Sequence, residues 1–89
     1  LNGKPRLIVH WRKNQEYLII RLYQDLVGDW VVSESRGHLQ AHSGHECTRT
    51  ILTSYLEARR LVLSLNKQNR QLGYKKTATA EEQLGFQFD

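Results

Sequence analysis

A single cysteine in 89 residues, Cys47, leaves no internal disulfide and fits a reducing compartment. Apolar runs are equally scarce. Leu7-Ile8-Val9 and Leu18-Ile19-Ile20 are far too short to span a bilayer as a helix. No charged-then-apolar stretch opens the sequence, so a cytoplasmic location is expected. Catalytic signatures are missing as well: there is no Gly-x-Ser-x-Gly, no phosphate-binding loop and no carboxylate pair placed to flank a cleft. A chain of this length also has little room for a closed active-site pocket. Neither an enzyme nor a cofactor is expected.

Acidic residues are scarce in one region. Positions 36 to 76 hold Arg36, Arg49, Arg59, Arg60, Lys67, Arg70, Lys75 and Lys76 against only Glu46 and Glu57, within a chain of net charge +4. A small domain with one basic half has the electrostatic footprint of a nucleic-acid binder. Such a surface also serves solubility alone. The 39% of hydrophobic residues suffices for one modest core.

Periodicity supplies the elements. Arg6 to Arg12 alternates, with Leu7, Val9 and Trp11 on one face and Arg6, His10 and Arg12 mostly on the other, as a half-buried strand does. After the turn residues Lys13-Asn14-Gln15, a second strand runs from Glu16 to Gln24. It sets Leu18, Ile20 and Leu22 against Tyr17, Ile19, Arg21 and Tyr23. Asp25 and Asp29 bracket Gly28, a residue free to take positive φ in a turn. A third strand follows from Trp30 to Ser35, a loop from Arg36 to Gly44, and a fourth strand from His45 to Ile51 with one buried face. Ser54 and Glu57 then form a capping-box pattern, and Ala58, Leu61, Val62 and Leu65 recur at helical spacing up to a stop at Gly73. The predicted helix runs from about Ser54 to Leu72, with Leu61, Val62 and Leu65 buried against the sheet. The fold class is therefore α+β: a small antiparallel sheet of four to five strands, one face covered by a single long helix.

Four constellations are candidates for function. His38, His42, His45 and Cys47 would offer three imidazoles and a thiolate to zinc, but their spacing fits no paired-ligand array. Polar loop histidines and a small buried thiol are the simpler reading, with no structural metal. Trp11 and Trp30 alternate with aliphatic residues, which favours burial over an exposed stacking platform. The loop is the third. Arg36, Ser43, Gly44 and Arg49 would present guanidinium groups, a hydroxyl and free amides to a phosphate, and His38 and His42 add charge when protonated. If the flanking strands pair, Arg36 and Arg49 converge on one patch that Lys75 and Lys76 extend. The alternative for Arg49 is an ion pair with Glu34 or Glu46. Fourth, residues 77 to 89 form a tail beyond a domain spanning 6 to 76. It reads as a final edge strand or as a docking peptide for a protein partner through Gln83, Leu84, Phe86 and Phe88, which loosely resembles the peptides that bind bacterial sliding clamps.

A wider resemblance covers about Leu7 to Tyr74. Gly28-Asp29-Trp30-Val31 ahead of a central Gly37, with Trp11-Arg12, the run Tyr17 to Asp25, Thr48-Arg49 and Leu72-Gly73-Tyr74 in order, resembles the WGR domain family. Those domains occur in poly(ADP-ribose) polymerases and in many small bacterial proteins. The name-giving Trp-Gly-Arg is Arg36-Gly37-His38 in this chain, so only Gly37 is kept. The resemblance implies a non-enzymatic module that binds DNA, duplex or broken at a strand end or nick. It maps the contact onto Arg36, Gly37 and His38, with His42, Ser43, Gly44, Arg49, Lys75 and Lys76 around them. A protein-interaction adaptor that docks through the sheet face or the tail is the alternative.

Overall fold

A computed structural model describes residues 6–41 and 44–81. Five strands and one helix follow in the order β1 (Leu7–Lys13), β2 (Glu16–Gln24), β3 (Trp30–His38), β4 (Glu46–Leu52), α1 (Tyr55–Gln71) and β5 (Lys75–Glu81). The strands form a single antiparallel sheet in the order β4-β3-β2-β1-β5. The first four are a meander. The helix then carries the chain across the sheet so that β5 lands beside β1.

Each connection has a local cause. Asn14, between β1 and β2, takes the left-handed conformation (φ 56°) that asparagine tolerates better than most residues. In the β2–β3 turn the Asp25 carboxylate accepts from the amides of Val27 (3.1 Å) and Asp29 (2.9 Å), and Gly28 has φ 96°. Ser54 caps α1: its hydroxyl accepts from the Glu57 amide at 3.1 Å, and the Glu57 carboxylate in turn accepts from the hydroxyls of Thr53 and Ser54. The helix ends in a Schellman motif. Tyr74 N–H donates to the Asn69 carbonyl and Gly73 N–H to that of Arg70, with Gly73 at φ 96°.

Alternation sorts every strand into two faces. Leu7, Val9, Trp11, Leu18, Ile20, Leu22 and Val32 point to the side that α1 covers, where they form the core with Ala58 and Val62. Trp30 packs on its rim, edge-on to Tyr55 at 5.0 Å between ring centroids. Trp11 is sealed in, with Arg70 and Lys76 lying over its ring. Both tryptophans thus serve the packing.

Four expectations change. The deepest line of α1 runs through Ala58, Val62, Asn66 and Asn69, whereas Leu61 and Leu65 flank it half-buried. The two leucines overhang the rim because the line facing the sheet advances by steps of four and three. The fourth strand buries neither face: β4 is a sheet edge, and only Leu52 is even partly covered. The expected loop is shorter, since Arg36, Gly37 and His38 continue β3 opposite Leu18, Tyr17 and Glu16. The boundary at 76/77 falls inside β5, and residues 77–81 form the sheet edge that the edge-strand reading of the tail expects. The docking-peptide residues Gln83, Leu84, Phe86 and Phe88 lie outside the described residues.

Val62 is fully buried while Leu63 is 59% exposed. Val62→Ala should therefore cost about 2 kcal/mol in denaturant unfolding, through lost transfer energy and a residual cavity. Leu63→Ala should stay within roughly 0.5 kcal/mol.

Candidate nucleic-acid interface

The helix covers one face of the sheet, and among the described residues no element packs on the other, although Val31 and Ser33 on that face are themselves buried. Cross-strand register lays out that open face in rows. Lys75, Arg12, Tyr17 and Gly37 form the first row, and Ala78, His10, Ile19, Ser35 and Cys47 the second. Ala80, Ile8, Arg21, Ser33 and Arg49 form the third, and Tyr23, Val31 and Ile51 the fourth. No described strand position on this face is a carboxylate. Its cations are Arg12, Arg21, Arg49 and Lys75, and none of them is in an ion pair among the described residues.

All four strand carboxylates point the other way. Glu16, Glu34, Glu46 and Glu81 share the parity of the core residues and lie on the helix-covered side. Glu81 pairs with Arg59 of α1, and that bond, followed by one to Tyr55, raises the Arg59 pKa further. Glu16 accepts from the Tyr74 hydroxyl at 3.2 Å. Burial first, and this bond second, push the Tyr74 phenol above its usual value. Carboxylate and cation side chains on opposite faces point away from one another, so a ligand on the open face meets the cations first.

The residues expected to form one patch are divided between the two faces. Arg49 and Lys75 lie on the open face, while Arg36, His38 and Lys76 lie on the helix side. Arg36 and Arg49 cannot converge, because they occupy strand positions of opposite parity. Arg36 is held by Glu34 at 3.2 Å and stands opposite Glu46. A depression of about 320 Å³ there is lined by Arg36, Gly37, His38 and Gly44, but also by Glu16 and Glu46. Its mixed charge suits a phosphate poorly. Arg49 pairs with neither Glu34 nor Glu46, being opposite Ser33 on the far face. His42 and Ser43 lie outside the described residues.

Gly37 has a steric reason to be glycine. The Tyr17 hydroxyl and His45 Nδ1 meet at 2.6 Å directly over it. A Cβ on Gly37 would sit 2.7 Å from each of those atoms. Cys47 is exposed rather than buried, its Sγ 3.6 Å from the Ser35 hydroxyl, which is itself 3.4 Å from Arg21. Sequence reasoning missed Arg12 and Arg21 as site residues. Their signal was the alternation that set them opposite the apolar face.

No family model matches this chain, and neither the curated proteins nor the solved structures include a significant match. What the fold and the site define is a class: a small α+β domain with one sheet face packed under a helix and the other open, cationic and free of carboxylates at the described strand positions.

Two measurements check this geometry. Gly37→Ala gains strand propensity but forces Tyr17 and His45 apart. In a double-mutant cycle its cost should fall by about 1 kcal/mol once His45 is alanine. Metal is the second. No group of three metal-ligating side chains occurs among the described residues, and Cys47 and His38 are on opposite faces. A chelator should leave the thermal midpoint unchanged, because no metal-binding energy is part of the folding energy. A large downward shift would contradict this.

Proposed function

We propose that this chain is a non-enzymatic DNA-binding module of the WGR type, which grips the phosphate backbone with its open sheet face. One observation carries the reading: Arg12, Arg21, Arg49 and Lys75 share a face on which no described strand position holds a carboxylate. Arginine offers several donors in a rigid fork suited to phosphate oxygens, and lysine adds a point charge. Arg21 and Arg49 flank Ser33 across three adjacent strands, roughly 10 Å apart at the backbone. Ser33 between them is buried, so the contact falls to the two guanidinium groups. The five-stranded sheet with its single helix supports the WGR resemblance at the level of fold. On this reading the contact lies on the open face, and the motif position at Arg36-Gly37-His38 contributes through the Tyr17–His45 bridge over Gly37.

The test is binding as a function of salt. Each phosphate contact adds about 0.7 to 0.9 to the slope of log K against log salt. Arg21→Ala with Arg49→Ala should weaken DNA binding at low salt and flatten that slope by roughly 1.5. Arg36→Ala, on the other side of the sheet, should change neither. A folded double variant that binds as the parent does would overturn this site. Retained partner binding with no salt dependence would favour the protein-interaction adaptor instead.

A further inference from the structure

The rows of the open face differ in a way that bears on what kind of DNA it takes. The first row carries Lys75 and Arg12, and the third carries Arg21 and Arg49. The second row, between them, holds no permanently charged side chain. Ala78 and Ser35 are small, and His10 and Ile19 occupy its middle. Successive rows are two residues apart along the strands, or about 6.7 Å. The face is thus a neutral trough between two cationic ridges. A depression of about 380 Å³ opens on its first-row side, lined by His10, Trp11, Arg12, Tyr17, Ile19, Leu39 and Thr77 and reaching past Arg12 towards the β1–β2 turn.

We propose that this trough takes an unpaired nucleobase, so that the preferred ligand is single-stranded rather than duplex DNA. The inference rests on the phosphate-binding reading of the same face and adds strandedness to it. The lining chemistry is that of a base site. The Tyr17 and His10 rings and the Ile19 and Leu39 side chains offer flat or apolar contact to a base face, with a hydroxyl and a guanidinium beside them. Tyr17 is already fixed by its bond to His45 at 2.6 Å across Gly37, so stacking on it costs little side-chain entropy. In a duplex the base faces are covered by their neighbours. Their edges are reached only by an element that enters a groove, such as a helix or a two-stranded ribbon. The one helix among the described residues lies on the opposite side of the sheet. A base therefore reaches this trough only when it is unpaired.

The test compares three labelled ligands by fluorescence anisotropy at low salt: a thymidine oligomer of about 12 nucleotides, the duplex of the same length, and an oligomer of equal phosphate count built from abasic units. The intact single strand should bind roughly fivefold to a hundredfold more tightly than the abasic strand, the range expected for stacking at one base. It should also bind more tightly than the duplex, and Tyr17→Leu should narrow both gaps. The abasic comparison uses the unaltered protein, so it decides the matter even if Tyr17→Leu does not fold. Equal affinity for intact and abasic strands, or tighter binding of the duplex, overturns the base site. If Arg21→Ala with Arg49→Ala still weakens binding in that case, the phosphate reading stands alone. Absence of binding to all three ligands overturns both.

Discussion

The cluster that joins Ala58 and Val62 of α1 to Val9, Trp11, Leu18, Ile20, Leu22 and Val32 is the contact on which the rest of the fold depends. A sheet has two faces, and the described residues supply one helix with which to cover them. Burying a large aliphatic or aromatic side chain contributes about 1.5–3 kcal/mol, and the core gathers its large residues on one side of the sheet. Strand alternation then leaves the intervening residues no choice of direction. They form the open face, and their chemistry decides what the molecule presents to a partner.

That constraint also governs the charges. Carboxylates at Glu16, Glu34, Glu46 and Glu81 share the parity of the core residues; Glu16, Glu46 and Glu81 sit at strand ends, Glu34 midway along β3. Glu34 pairs with Arg36, Glu81 pairs with Arg59, and Glu16 accepts from Tyr74. Exposed ion pairs of this kind contribute about 0.2–1 kcal/mol, so their larger effect is on where negative charge is found. Lys76 and Arg70 are occupied over the Trp11 ring, and Lys13 donates to the Leu72 carbonyl at 2.7 Å. Among the described residues, Arg12, Arg21, Arg49 and Lys75 are left without an acidic partner on the opposite face.

Much of this fold was legible in the sequence because its signals are local. The Ser54–Glu57 cap, the Gly73 stop and the Asp25–Asp29 turn around Gly28 each need only a few neighbouring residues. The faces of β1 and β2 followed from simple alternation. The site was less legible. Gly37 reads as an exit from a strand, yet its cause is the meeting of Tyr17 with His45, residues 28 positions apart. Once β3 continues through Gly37 to His38, Arg36 falls on the helix side and the expected convergence with Arg49 disappears. Leu61 and Leu65 fit the helical period, but they flank the line through Ala58 and Val62 and pack against the core only half-buried. Composition marked residues 36–76 as the basic half. Topology instead combines Arg49 and Lys75 from that half with Arg12 and Arg21 from the other.

Methyl groups distinguish the two sides of the molecule directly. Ile8, Ile19 and Ile51 belong to the open face, Leu56 and Leu63 to the outer surface of α1. A DNA oligomer titrated into methyl-labelled protein and followed by NMR should shift Ile8, Ile19 and Ile51 saturably while Leu56 and Leu63 stay in place. Shifts centred on Leu56 and Leu63, with the three isoleucines unmoved, would contradict the assignment of the open face as the binding surface.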